Sequence, residues 1–250
     1  MSSSIPYLRV AAGIIGFNDK EGLRRTINSV YKGVDLIIYI DGKFPTFPYS
    51  SDLSDDGSRE LILNGFAEKS ILVDCPEPEY NKRQKYLDLC EQYDIDVLLI
   101  IDTDEYIIDE FSDWSMFREE CYQRMFIENK ETQNIFNIKM LNRISVAGGH
   151  VLDLWVSYPR IWFRPSDMHY ARGRHYEFVG KDGRVQTGSE GHDTIYSIRA
   201  KHDIDLRTSK HQEGREAYQK WLIKYEKGLQ NEEKEDIAAI EDREKAMLSC

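Results

Sequence analysis

No apolar run in this chain approaches the ~18 residues needed to cross a bilayer, and the opening MSSSIPYL carries no basic segment leading into an apolar one. The expectation is a soluble, cytoplasmic protein without a transmembrane segment, for which peripheral membrane contact stays open. Cysteine is scarce as well. Cys75, Cys90, Cys121 and Cys250 are scattered without CxxC spacing, so neither a zinc site nor a disulfide framework is indicated. Positive charge is in deficit: 33 Lys and Arg against 44 Asp and Glu leave a net charge of −11. That balance argues against a nucleic-acid partner, whose phosphate backbone calls for a basic stripe. There is no internal repeat and no low-complexity segment.

What is present suits one large α/β domain. The 250 residues, 41% hydrophobic and 31% charged, are enough to bury a sizeable core. The first hundred residues alternate β-like runs with amphipathic stretches, the pattern of βαβ units and a largely parallel sheet. Strands are expected at Leu8 to Phe17, Leu36 to Asp41, Ser70 to Asp74 and Asp96 to Asp102, and helices at Glu21 to Tyr31, Asp56 to Phe66 and Asn81 to Tyr93. Asn18 or Asp19 caps the first helix, and Asp55 or Asp56 the second. Gly42 to Asp55 is long for a βα connection and reads as a functional or mobile surface loop. Beyond Asp109 the pattern changes to a helix from about Ser112 to Glu128, then strands at Ile135 to Leu141, Ser157 to Phe163 and Tyr196 to Lys201, with a turn at Asp182 and Gly183. From Ser209 the chain reads as helical, its acidic run NEEKEDIAAIEDREK being a solvated face.

The most informative window is DVLLIIDTDEYII, 96 to 108. Five apolar residues form a buried strand, and two carboxylates, Asp102 and Asp104, follow its end, where ligands bind in parallel α/β sheets. Two hard oxygen donors there suit Mg²⁺ or Mn²⁺ with positions open to phosphate oxygens. Asn18, Asp19, Asp41 and Asp74 fall at the same ends of neighbouring strands, although Asp41 is equally suited to a turn. Asn81, Lys82 and Arg83 open a helix, where N–H groups and cations favour a diphosphate. Arg172, Arg174 and His175 form a basic cluster fitted to anions. Trp155, Tyr158, Trp162 and Tyr170 are read as core before sugar-stacking faces.

IIGFNDKEGLRRTINSV, LIIYIDG, the helix beginning NKR and LLIIDTDEYI resemble the nucleotide-binding half of glycosyltransferase family 2, with its GT-A fold. PRIWFRPSDMHYARGRHYEF is similar to the acceptor-side block of that family, and IRAKHDIDLRTSKHQEGREAYQKWL to its closing segment. The resemblance covers roughly residues 8 to 225. It implies a Rossmann-like, mixed but mostly parallel sheet flanked by helices: a catalytic domain over 1–208, divided into a nucleotide-sugar half (1–109) and an acceptor half (110–208), with a helical extension over 209–250. It further implies Asn18, Asp19 and Asp41 near the nucleoside, Lys82 or Arg83 near phosphate, Asp102 and Asp104 at Mn²⁺ or Mg²⁺, and His202 completing the metal shell, with Asp203 a plausible orienter. The implied reaction moves a sugar, with inversion, from a nucleotide-diphosphate donor, UDP-linked by default, to a hydroxyl of a glycan, lipid-linked or protein acceptor. Glu177 is the first choice for the base, despite the extra Tyr176 after His175, with Asp153 and Glu105 in reserve.

Three alternatives remain. A haloacid-dehalogenase-type phosphatase also sets DxD after a strand, but continues it differently from Glu105 and Tyr106. A sugar-nucleotide nucleotidyltransferase begins with a glycine-rich basic loop that GIIGFNDK matches poorly. The third is a non-catalytic protein that binds nucleotide sugar.

Overall fold

The computed structural model describes residues 6–128, 134–145, 151–170, 177–180, 185–187, 192–203 and 213–225. β1 (Val10–Gly16), β2 (Leu36–Asp41) and β4 (Val97–Ile100) are buried at every position, as strands covered by helices on both faces must be. Their side chains feed two cores. Val10, Ala12 and Ile14 join Leu23, Ile27 and Val30 of helix α1 (Lys20–Val30) on one face. Ala11 and Ile15 join Tyr86, Leu87 and Cys90 of a helix spanning Glu79–Gln92 on the other. Cys75, Cys90 and Cys121 are free and buried, packing as small hydrophobes.

Between these elements run α2 (Ser58–Glu60), which continues as a π turn over Leu61–Gly65, and β3 (Ser70–Asp74); the Glu79–Gln92 helix is α3. After β4 come β5 (Glu105–Ile107), α4 (Trp114–Tyr122), β6 (Ile135–Ser145), β7 (Val151–Phe163), β8 (Met168–Tyr170), β9 (Glu177–Gly180), β10 (Val185–Thr187) and β11 (Thr194–His202). A further helix, α5, covers residues 213–225.

Among the described residues, eight strands form one sheet in the order β3-β2-β1-β4-β7-β6-β11-β5, and β10-β9-β8 form a second, antiparallel one. The 3-2-1-4 half is the Rossmann order. Pairings of β1 with β2 and β4, of β2 with β3 and of β6 with β11 are parallel, whereas β7 runs against β4 and β6, and β5 against β11. All but β7 and β5 therefore point the same way, which gives the expected GT-A-like, mostly parallel sheet. Its consequence is geometric: the carboxyl ends of β1, β2, β4, β6 and β11 share one edge.

Several expected boundaries shift. β7 begins at Val151, not near Ser157, because β6 and β7 pair along their whole length as a long hairpin arm. β5 was not expected at all. Its three residues are held as an edge strand against β11, a pairing that no local pattern announces. In β7, Ile161 pairs with Phe136 and Pro159 with Asn137, so Arg160 is left over as a bulge. The turn at Asp182 and Gly183, and the acidic run after residue 225, lie outside the described residues.

Candidate functional site

The site begins with how α1 meets the loop after β4. Asp19 caps α1 by accepting from the Gly22 N–H at 3.2 Å. The helix then presents Gly22, Thr26 and Ser29, spaced i, i+4, i+7 and so on one face, to residues 102–107. The fully buried Thr26 hydroxyl donates to the Glu105 carbonyl at 2.6 Å and approaches those of Asp102 and Thr103 at 3.3 and 3.2 Å. Ser29 Oγ accepts from the Ile107 N–H at 3.0 Å. Gly22 permits the close approach: a Cβ there would sit 2.6 Å from the Thr103 carbonyl oxygen. These contacts lock the backbone that carries the acidic residues.

Asp102, Asp104 and Glu105 each bring a carboxylate oxygen within 4.8 Å of the others. Their surroundings differ. Glu105 is 2% exposed and forked by Arg160, Nη2 to Oε1 at 2.6 Å and Nε to Oε2 at 3.1 Å, while Oε2 also accepts the Asp102 N–H. The β7 bulge aims Arg160 at this carboxylate. Glu105 is therefore a bound structural anion, which removes it as a reserve base. Asp102 faces Arg83 Nη2 at 3.3 Å and Arg160 at 3.9 Å. Burial works to raise its pKa, but Arg83 and Arg160, with Arg215 and His202 further off, hold it below the usual carboxylate range.

Asp104 turns Oδ2 to His202 Nε2 at 3.2 Å, with the Arg215 guanidinium 3.9 Å away. The Asp203 N–H donates to the Asp104 carbonyl at 2.8 Å and ties β11 to this loop. Burial lowers the His202 pKa against the opposing pull of Glu105 and Asp102, favouring the neutral imidazole that metals require. Asp203 does not orient His202 as expected, since its carboxylate lies toward Arg25 at 3.6 Å and Lys201 at 4.0 Å. The imidazole's other nitrogen, Nδ1, meets Asn142 Oδ1 at 3.1 Å.

Asp102, Thr103 and Asp104 open into a cavity lined also by Ile15, Phe17, Asp19, Phe44, Phe47, Glu79, Arg83, Arg215 and Tyr218. Phe44 and Phe47 come from the Gly42 to Asp55 loop, which is pinned by Lys43 N–H to the Asp52 carbonyl at 2.8 Å and by Asp55 N–H to Asn18 Oδ1 at 2.8 Å. Tyr218 of α5 packs at a tilt of 51° against Phe44, 5.4 Å between ring centroids, and accepts from the Glu79 N–H at 2.9 Å. The cavity thus has an anionic floor, two arginines and an aromatic wall.

Several expected residues lie elsewhere. Asp41 is fully buried, with its oxygens taken by Ser54 Oγ at 2.5 Å, the Ser54 N–H at 3.1 Å and Arg59 at 2.8 Å, so it braces the loop and does not line the cavity. Asn18 joins the same brace. Lys82 does not line the cavity but is buried behind its wall: its ammonium donates to the Gly42 carbonyl and sits 3.7 Å from the Phe44 ring centroid. Asp153 is on the β7 arm, paired with Arg143 at 3.2 Å and outside the cavity lining. Trp162 and Tyr170 are core, whereas Trp155 is exposed against Phe111. Glu177 opens β9 opposite Thr187, but its side chain, like Arg172, Arg174 and His175, lies outside the described residues. Arg160, Asn142, Arg215, Phe44, Phe47 and Tyr218 were not among the expected site residues. Arg160 lies inside the PRIWFR block, Arg215 and Tyr218 inside the closing segment, and Phe44 and Phe47 inside the Gly42 to Asp55 loop, whereas Asn142 carried no signal in the sequence.

A divalent ion's demands can be set against this geometry. One oxygen and one imidazole nitrogen at ~2.1 Å from a six-coordinate ion and at right angles are about 3.0 Å apart, close to the 3.2 Å between Asp104 Oδ2 and His202 Nε2. Asp102 brings a carboxylate oxygen within 4.8 Å of one of Asp104. The donor set of carboxylate oxygens and one imidazole suits Mn²⁺ or Mg²⁺.

No helix among the described residues is long and apolar enough to cross a membrane. No protein-family model matches the chain, and no curated protein matches it. Among solved structures it is similar to S. aureus TarS 1-349, at 15% identity and TM-score 0.37 over 58% of this chain and 38% of that one. TarS 1-349 in complex with UDP-GlcNAc gives 15% identity and TM-score 0.37, over 58% of this chain and 37% of that one. A cytidylyltransferase from Leptospira borgpetersenii gives 13% identity and TM-score 0.30, over 63% of this chain and 60% of that one. The chain thus spans under two fifths of the length of the TarS 1-349 chain it resembles.

Proposed function

We propose that the chain is a metal-dependent glycosyltransferase that moves a sugar, with inversion, from a nucleotide-diphosphate donor to an acceptor hydroxyl. The observation that carries this is the pairing of Asp104 with His202 beside Asp102, at the carboxyl edge of the sheet and at the floor of a cavity holding Arg83 and Arg215. Asp104 and His202 hold the Mn²⁺ or Mg²⁺, with Asp102 completing the set or turning to the ribose. When bound there, the ion supplies positive charge against the departing diphosphate.

The chain's own groups supply the rest. Arg83 and Arg215 face the phosphate oxygens, and Arg215, half exposed and 3.9 Å from Asp104, turns to the diphosphate as the donor enters. Phe44, Phe47 and Tyr218 offer apolar faces to the nucleoside and keep water from the donor. Asp19, which lines the same cavity, takes a ribose hydroxyl in this reading. Glu177 is the base that takes the acceptor proton, and Arg172 and Arg174 contact anionic groups from the acceptor side.

The test is a thermal-shift panel of nucleoside diphosphates with and without Mn²⁺, on wild type and Asp104→Ala. A nucleotide at 100 times its Kd adds about 2.7 kcal/mol of stability. We expect UDP with Mn²⁺ to stabilise the wild type and to lose the metal-dependent part in Asp104→Ala. If no nucleotide stabilises the wild type, or the variant responds as the wild type does, the proposal fails. Glu177→Gln is expected to keep donor binding and lose most turnover; near-normal turnover places the base elsewhere.

A further inference from the structure

Asn142 is a buried polar residue, 4% exposed, at a position of β6 that alternates with the buried Phe136, Ile138 and Met140. Its place is set by register. β6 and β11 run parallel, and Asn142 pairs directly with His202, so the two side chains project from the same face of the sheet. Asn142 turns Oδ1 to His202 Nδ1 at 3.1 Å and Nδ2 to the Tyr158 hydroxyl at 3.1 Å. Tyr158 in turn lies under the Arg160 guanidinium, 5.6 Å from ring centroid to Cζ, and Arg160 grips Glu105. A chain of contacts therefore runs from the buried side of the sheet to the imidazole.

An amide oxygen only accepts a hydrogen bond. With Oδ1 against Nδ1, the imidazole proton belongs on Nδ1, and the Nε2 lone pair points at Asp104 Oδ2, itself an acceptor. Two lone pairs that face each other at 3.2 Å repel unless a proton or a metal cation lies between them. In most metal sites the nitrogen of a ligating histidine that does not touch the metal is fixed by a partner of this kind.

Resting on the metal-dependent reading above, we propose that Asn142, braced by Tyr158, is the positioning residue that holds His202 in its Nδ1–H tautomer and presents Nε2 to the divalent cation. Asn142 touches neither donor nor acceptor, and it acts through the imidazole alone.

The experiment has two readouts that do not depend on turnover. In metal-free protein at neutral pH, long-range proton–nitrogen correlation spectra, assigned with His202→Gln, report which imidazole nitrogen carries the proton. The Mn²⁺ concentration at half-maximal stabilisation in the presence of UDP is then measured for wild type, Asn142→Leu and Asn142→Asp. We expect Nδ1–H in the wild type, and in Asn142→Leu a shift toward Nε2–H with the Mn²⁺ midpoint raised about 10- to 100-fold. Asn142→Asp keeps the acceptor, so it is expected to restore both the tautomer and a midpoint no higher than that of the wild type. An Nε2–H tautomer in the wild type overturns the proposal, as does a midpoint in Asn142→Leu that matches a metal-responsive wild type. A wild type that shows Nδ1–H but no response to Mn²⁺ overturns the metal reading and the proposal together, an outcome distinct from failure at Asn142 alone.

Discussion

Burial pushes the Lys82 pKa down to about 7, while in the unfolded chain the residue returns to its usual ~10.4. Between those values the unfolded state binds one proton more than the folded state, so unfolding free energy rises with pH. Below pH 7 both states are charged, and the full penalty of burying the ammonium applies. Urea midpoints should therefore climb from pH 7 to pH 9 more steeply in the wild type than in Lys82→Met; parallel curves would show that the buried amine is not the source. The Glu105–Arg160 pair makes the opposite point about charge. With side chains 3% and 17% exposed, it is a buried pair, and losing one partner strands the other. Arg160→Met should cost about 3–5 kcal/mol in chemical denaturation, and adding Glu105→Gln should recover a large part of it. An Arg160→Met variant as stable as the wild type would mean that Glu105 finds solvent or another partner. Neither residue's situation was legible in the sequence. Lys82 and Arg83 look alike as the start of a cationic helix, and only the turn of α3 sends one into the core and the other to the cavity.

The helices and strands themselves were largely legible, because they follow from periodicity. Leu23, Ile27 and Val30 announce the core face of α1, and the continuous apolar runs of β1, β2 and β4 announce a sheet covered on both sides. What periodicity misses is the second face of α1. Gly22, Thr26 and Ser29 carry no hydrophobic signal, yet they hold the 102–107 backbone in place. The Arg160 bulge was equally hidden, since an extra residue in one strand has meaning only against its partner. Gly22→Ala tests the α1 contact with a sign that helix propensity alone would get wrong. At an open helical position the change should stabilise by about 1 kcal/mol. Here the new Cβ would meet the Thr103 carbonyl oxygen at 2.6 Å and Asp19 Oδ2 at 2.4 Å, so we expect a loss of about 1–3 kcal/mol and a weaker Mn²⁺-dependent response to nucleotide. A gain in thermal stability would show that α1 and the loop are free to part.

Across the whole molecule, the cavity joins residues that sequence distance keeps far apart: Glu79 and Tyr218 are separated by 139 positions and share a hydrogen bond. The acidic floor could be found because its residues are adjacent in the chain, whereas the aromatic wall could not, because it forms only when the Gly42 to Asp55 loop meets α5. Long-range ties of another kind hold the opposite side. Asp35 accepts from the Tyr7 hydroxyl, from the Val10 N–H at 2.8 Å and from Arg118 of α4 at 3.0 Å. Burial works to raise its pKa, but Tyr7, the Val10 N–H and Arg118 together lower it. A depressed carboxylate lends stability that is present above its unfolded pKa of ~3.9 and is lost as pH falls through the folded value. The wild type should thus lose stability on acidification below about pH 4 more steeply than Asp35→Asn, as read from urea midpoints; equal slopes would remove Asp35 from the account. The order of the eight strands has a last consequence, for behaviour at high concentration. Among the described residues the sheet's two rims are β3 and the three-residue β5, but β7 meets β4 only over Ile161–Phe163 and pairs on one side alone over most of its length. The short rims offer little unpaired backbone for another copy to extend, so the outer side of the β6–β7 arm, and not the rims, is where this sheet would take on another strand.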